Sequence, residues 1–469
     1  MSRRVAVVFI FALAASWNST DCSAEDFPPV KNFGDVTGRG RNVQRTMRLL
    51  AESTPEHRNT VRVLFYGQSI TEQGWWKLVA NDLRARFPNA NLIVENRALG
   101  GYASQLLVKT AETDLYPFQP DLLIFQVYGA HDKYEDIMRL TRERTTAEIL
   151  QQNDHVTKPE AFTEETDPAK LPPKGTHWDA FMNHNWLPAM SKKYWTELCD
   201  QRAIWKQYLT DYKLEPKALL KDGVHLNAHG EFLMAECVKS YLRYDPALGP
   251  SPAEQWVKTL VVGKDVVWKD GKLRVEFTGT RVDAISRSGD AAKAAVRIDG
   301  KKPSEFQELY GLTRALSKPG GKWPPIAPIQ IQALPLLEEW TLEAQADPAA
   351  SKLEKKVYTF ALSGSKTGPD GEGRSDQRFV SKSGRMAIAP ESWGVEFALM
   401  LSGVKPAPDK LTAKWSVVPH FADEFVVPKS EAGVEASVTL AQGLANGKHV
   451  LEIEGGDAIW GLRVYAPRK

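Results

Sequence analysis

Val61-Arg62-Val63-Leu64-Phe65-Tyr66 runs straight into Gly67-Gln68-Ser69-Ile70-Thr71, and this stretch decides how the first half of the chain folds. The first six residues are largely β-branched, aliphatic or aromatic, as a buried strand should be. Gly67 then supplies a sharp turn, and Trp75 to Phe87 follows with apolar residues at helical spacing. A serine at such a strand-to-helix junction lies near backbone N–H groups that can stabilise a developing negative oxygen. Far downstream comes Asp222-Gly223-Val224-His225. Three residues apart in one turn, its carboxylate can hold its imidazole in the tautomer a general base needs. The two islands point to a serine nucleophile early in the chain and its base late.

Around them, short apolar runs alternate with amphipathic ones. Asn91 to Glu95 and Asp121 to Tyr128 read as further strands, and the second is nearly continuous in apolar character, as a sheet covered on both faces demands. Met47 to Glu52, Ile137 to Ile149 and Glu231 to Leu242 read as helices. Strands separated by helices imply a parallel sheet with right-handed crossovers and a ligand site at the carboxyl ends of the strands. Ser69, Gly100-Gly101 and the turn Gly129 to Asp132 all fall just past such ends. From Pro246 to Pro252 the character changes. Val257–Val262, Leu273–Thr278, Ala294–Ile298, Val357–Leu362, Val395–Leu401, Ala413–Val418 and His449–Ile453 read as strands between Gly, Pro and Asp clusters. The expected division is a lead-in over 25–58, an α/β domain over 59–245 and a β-rich region over 246–469, built as one or two β-sandwich modules. The Pro-rich segment Pro319 to Pro335 either joins two parts or is an excursion from one.

At 469 residues, two or three domains are expected. The 42% hydrophobic and 25% charged content is that of a folded globular chain. A net charge of +2 without a Lys/Arg-rich run argues against a nucleic-acid or anionic-membrane partner. Arg3 and Arg4, the apolar stretch Val5 to Trp17 and the small residues Cys22-Ser23-Ala24 form an expected signal peptide, cleaved after Ala24. The apolar stretch falls short of the ~20 residues a bilayer span needs, so export to the periplasm or medium, with no membrane anchor after cleavage, is expected. Two cysteines then remain, Cys199 and Cys237, either bridged or buried as small hydrophobes.

Between Gln151 and Trp186 lies a polar, proline-bearing insert, read as a lid or rim over the cleft. Asp154, His155, His177, Asp179 and His184 fall within it without a tight ligand spacing, so they read as solvated loop residues and no metal is expected. His177 or Trp178 reads as a substrate contact supplied by this insert. His229, one turn beyond His225, reads as a surface or supporting residue.

Over roughly Val61 to Tyr244 the pattern resembles the SGNH, or GDSL-like, hydrolase superfamily. Its first block is matched by Gly67-Gln68-Ser69-Ile70-Thr71, its second by Asn96-Arg97-Ala98-Leu99-Gly100-Gly101, and its last by Asp222-Gly223-Val224-His225. The resemblance implies a flavodoxin-like three-layer sandwich with a central parallel sheet, followed here by the C-terminal β-sandwich region. It implies Ser69 as nucleophile, His225 as base and Asp222 as its orienting acid, with the Ser69 and Gly101 N–H groups lining an oxyanion hole. The chain departs from the family in Gln68, where Asp is usual, and in Gly129-Ala130-His131-Asp132, where an Asn normally donates to the oxyanion. An imidazole N–H can donate as an amide does, so His131 is the expected third donor. The implied activity is a cofactor-free serine esterase acting on an acylated, most often acetylated, polysaccharide or oligosaccharide. A lipase or arylesterase, and a glycan-binding protein with a relict hydrolase domain, are the alternatives. Oligomeric state is not legible.

Overall fold

The computed structural model describes residues 27–286, 293–351, 356–455 and 458–468. The expected signal peptide and its cleavage point after Ala24 lie outside the described residues. Among the described residues no helix is long and apolar enough to cross a membrane.

In chain order the first half comprises α1 (Gln44–Ala51), β1 (Thr60–Gly67), α2 (Ser69–Glu72), α3 (Trp75–Arg86), β2 (Asn91–Asn96), α4 (Ser104–Asp114) and β3 (Leu122–Gln126). It continues with α5 (His131–Arg144), β4 (Glu148–Gln152), α6 (Leu187–Tyr194), β5 (Glu197–Cys199), α7 (Gln201–Asp211) and α8 (Ala228–Lys239). The strands pair in parallel in the order β2-β1-β3-β4-β5. That is the doubly wound order of a flavodoxin-like domain, as expected. The two-residue period of β1 divides its side chains between two cores. Val61, Val63 and Phe65 pack with Trp75 and Val79 of α3 and Leu233 of α8. Leu64 and Tyr66 pack with Leu107 of α4 and Ile137 of α5. Phe65 is fully buried, and truncating such a ring to Ala typically costs ~3–5 kcal/mol.

Two expected elements differ. The helix read over Ile137 to Ile149 starts earlier, at His131, and stops at Arg144. Thr145 leaves the helix at φ −137°, ψ 158°, the β-branched pair Thr145-Thr146 follows, and Glu148 to Gln152 becomes a sheet strand. The strand read over Val395 to Leu401 is a helix, α9 (Val395–Leu401). Val395, Ala398 and Leu399 are its buried residues, a helical i, i+3, i+4 spacing. Gly403, at φ +79°, closes its end while the Val404 N–H returns to the Leu399 carbonyl.

The second half is rich in antiparallel strands, arranged around two cores. Strands Lys272–Ser286, Ala436–Glu454 and Ile459–Tyr465 belong to one sheet. Strands Glu339–Ala346, Tyr358–Gly364 and Lys410–Pro419 belong to another. The chain leaves the first sheet after Lys293–Ile298 and rejoins it at Glu424–Val426. The Pro-rich segment thus lies within an excursion from the first sheet. Cys199 on β5 and Cys237 on α8 are free and fully buried, which settles for the hydrophobic reading, and burial pushes both thiols up.

Candidate active site at the carboxyl ends of the strands

Ser69 is the first residue of α2, immediately past β1, and is half-buried. The turn requires Gly67, because a Cβ there would lie 2.1 Å from the Gln126 carbonyl oxygen. Gln68 accepts the Tyr128 N–H at 2.6 Å, tying the end of β1 to the end of β3. That is a structural use for the residue that replaces the usual Asp.

Asp222 and His225 occupy an exposed turn. Asp222 Oδ1 accepts the N–H groups of Val224 at 2.8 Å and His225 at 2.7 Å, while Oδ2 meets His225 Nδ1 at 2.9 Å. The backbone N–H of His225, then that of Val224, then the His225 ring hold the carboxylate down at about 2. His225 is 34% exposed at its side chain and Asp222 50%, so this edge of the site is open.

Two contacts that the sequence did not signal fix that turn. Gln73, four residues after Ser69, donates to the Leu226 carbonyl at 2.8 Å and accepts the Leu226 N–H at 3.0 Å. His155 Nε2 donates to the Val224 carbonyl at 2.8 Å. The backbone is therefore held on both sides of His225, once from the helix that carries Ser69 and once from the insert. His155 is fully buried and Asp154 is 8% exposed, which corrects their reading as solvated loop residues. His184 also has a partner, Glu164, at 2.8 Å. The same carboxylate takes Arg202 at 2.6 Å and Lys206 at 2.8 Å. Burial alone would raise the Glu164 pKa; the three cationic or proton-donating partners reverse that and hold it well below the usual carboxylate range. Asp179 and Lys174 pair at 2.9 Å. Among the described residues no cluster of three or more His, Cys, Asp or Glu is placed to hold a metal ion. His229 is half-buried, packs flat on Phe27 with ring centroids 4.5 Å apart and bonds the Tyr208 hydroxyl at 2.6 Å.

Gly100 and Gly101 form the middle of a turn closed by the Tyr102 N–H on the Leu99 carbonyl at 3.0 Å. Gly101 sits at φ +79°, the region a type II turn demands of its third residue. The turn lies against the nucleophile's helix: Gly100 N–H donates to Glu72 Oε2 at 2.8 Å, and a Cβ on Gly100 would lie 3.7 Å from Ser69 Cβ. Asn96 adds a second tie, donating to the Thr71 carbonyl at 2.7 Å. Among the described residues neither the Ser69 nor the Gly101 N–H donates to another group.

His131 opens α5, its own N–H bonded to the Gly175 carbonyl at 2.8 Å. Its ring is only 5% exposed and packs against Trp186 at 4.9 Å and Phe181 at 6.1 Å. Burial lowers its pKa, so the ring is neutral at pH 7. Its Nε2 is buried and has no hydrogen-bond partner among the described residues. Trp178 stands edge-on to Tyr128 at 4.8 Å, just past β3.

These elements define a doubly wound α/β domain that presents a hydroxyl, an imidazole with its carboxylate, and two unpartnered backbone N–H groups at its strand ends. Its sheet order is the flavodoxin-like one expected from the sequence. No family model matches the chain, and no curated protein matches it. Among solved structures it is similar to a catalytic mutant of an acetylxylan esterase from Geobacillus stearothermophilus (15% identity, 40% of this chain and 97% of that one, TM-score 0.34). It is also similar to an alpha/beta hydrolase enzyme from the metagenome of Lake Arreo, Spain (16% identity, 40% and 98%, TM-score 0.33). A third is a protein from Parabacteroides merdae, provisionally described as a GDSL-like lipase (19% identity, 40% and 98%, TM-score 0.33).

Proposed function

We propose that the chain is a serine esterase that removes O-acyl groups, chiefly O-acetyl, from carbohydrate. Ser69 Oγ attacks the ester carbonyl as His225 Nε2 takes its proton, and Asp222 holds the Nδ1–H. The oxyanion receives the N–H groups of Ser69 and Gly101. Collapse expels the sugar alkoxide with the proton from His225, and water activated by the same ring releases the acyl group from Ser69.

The observation that carries this reading is the double clamp on His225, from Gln73 beside the nucleophile's helix and from His155. The two clamps hold the backbone that carries the proposed base in a fixed place beside the helix of the proposed nucleophile. His131 would be the third donor, through an Nε2 that is buried and engaged by no other group among the described residues. The proposed hole therefore combines two backbone donors with one ring N–H. A missing third donor typically costs ~3–4 kcal/mol of transition-state stabilisation, which makes an enzyme slow without making it inert.

An open edge at Asp222 and His225 suits a bulky polymer better than a small molecule that must be enclosed. A second reading, an esterase for longer acyl chains, is favoured by one observation: α9 lays Leu401 on Gly101 and leaves Phe397 and Met400 exposed. Acetate release from a panel of acetylated xylan, pectin and mannan, with Ser69→Ala as control, tests the first reading. Preference for p-nitrophenyl octanoate over the acetate would favour the second. Export belongs to the same proposal, and N-terminal sequencing of the mature protein checks cleavage after Ala24.

A further inference from the structure

The Gly100-Gly101 turn is not finished by the α/β domain. Trp323, from the β-rich half, donates its indole N–H to the Gly100 carbonyl at 2.8 Å. Its neighbour Lys322 is ion-paired with Glu72, whose other oxygen holds the Gly100 N–H at 2.8 Å. Leu401 of α9 covers Gly101 so closely that a Cβ there would lie 2.8 Å from its Cδ2. The Tyr102 hydroxyl bonds the Pro324 carbonyl at 2.9 Å, fastening the same strap one residue further on.

The Gly100 carbonyl and the Gly101 N–H belong to one planar trans peptide, so they point in opposite directions and turn together. Type I and type II turns differ by a flip of this central peptide, and glycine at both central positions leaves either form open. A donor fixed on the carbonyl side selects the form in which the N–H faces away from it. Polarising the carbonyl also strengthens the N–H as a donor.

We infer that Lys322 and Trp323 of the β-rich half position the Gly101 N–H as an oxyanion donor, making this half part of the catalytic unit rather than a detachable appendage. The inference rests on the serine-esterase reading proposed above. Trp323 and Lys322 are positioning residues: Trp323 acts through the Gly100-Gly101 peptide, and Lys322 acts through Glu72.

The test uses the full chain with p-nitrophenyl acetate, and a boronic acid as a mimic of the tetrahedral intermediate. Trp323→Phe keeps a ring and removes the donor; Lys322→Met removes the charge and Lys322→Arg restores it. Misplacing a catalytic group by about 1 Å costs roughly 100-fold, so a turn free to flip is expected to lose at least ~10-fold in kcat. We expect that loss in Trp323→Phe and Lys322→Met, with KM within about twofold and boronate affinity falling in step with kcat/KM, as a transition-state contact requires. Lys322→Arg should recover most of the rate. Equal kcat and boronate affinity in all folded variants, beside an active parent, overturns the inference and leaves the esterase reading standing. A loss of rate with boronate affinity unchanged overturns it too. A folded parent that neither turns over the ester nor binds boronate overturns the esterase reading and the inference with it.

Discussion

Gln73 and Leu226 are joined by a reciprocal pair of hydrogen bonds, 2.8 Å from the Gln73 amide nitrogen to the Leu226 carbonyl and 3.0 Å from the Leu226 N–H back to the Gln73 carbonyl oxygen. One side chain thus treats the residue beside His225 as a strand partner. Because Gln73 lies one helical turn past Ser69, the pair sets the spacing between the proposed nucleophile and base.

Gln73→Met keeps the length of the side chain and removes both bonds. It should cost ~1–3 kcal/mol of stability, the usual penalty for stranding buried backbone groups. It should also lower kcat by ~10-fold or more with little change in KM, since the proposed base loses its fixed position. Urea unfolding and steady-state kinetics on p-nitrophenyl acetate check the two parts separately. Unchanged kcat would show that Gln73 serves stability alone.

His155→Ala removes a fully buried ring and its bond to the Val224 carbonyl. A cavity and an unpaired carbonyl together predict a loss of ~3–5 kcal/mol. The midpoint of urea unfolding measures it, and a loss below ~1 kcal/mol would show that the insert does not depend on this contact.

His131→Ala separates the two roles open to that ring. A donor to the oxyanion would be missed by ~100-fold or more in kcat. The proposed donor role predicts that larger loss, together with reduced stability from the space left between Phe181 and Trp186; a change under ~5-fold in kcat would show that the ring serves packing alone.

Glu164 should make the insert acid-sensitive. Its folded pKa lies below the ordinary 4.5, so its stabilisation is present in full above that value and is lost as the pH falls from there toward the lower folded value. Limited proteolysis of 151–186 should therefore accelerate below about pH 4.5. Glu164→Gln, which leaves Arg202 and Lys206 without their partner, should be nicked readily at neutral pH and show a flatter acid response. Identical pH profiles for the two proteins would exclude Glu164 as the cause.

The parallel sheet was legible where its strands are apolar. β1 and β3 are buried along almost their whole length and read so from composition. β4 was hidden because Glu148, Gln151 and Gln152 are buried polar residues, a pattern that propensity assigns to the surface. Their partners explain the burial. Glu148 accepts the N–H groups of Arg45 and Thr46, Gln151 accepts the Tyr134 hydroxyl, and Gln152 donates to Gln201. Such matches between distant positions leave no local signature. The motif residues around Ser69, Gly101, Asp222 and His225 stand out in the sequence because the proposed chemistry restricts their types and order. Gln73 and His155 could not, since each holds backbone and any donor of suitable reach would do. Trp323 meets Gly100 across 223 positions of sequence, and nothing near either residue announces the other.

Incubating the folded chain with a fluorophosphonate and locating the adduct by peptide mass spectrometry tests the central claim most directly. The account predicts one adduct, on Ser69, abolished by Ser69→Ala and slowed strongly by His225→Ala. An unlabelled wild-type protein, or an adduct on any other residue, would contradict it and turn attention to a glycan-binding protein with a relict hydrolase domain.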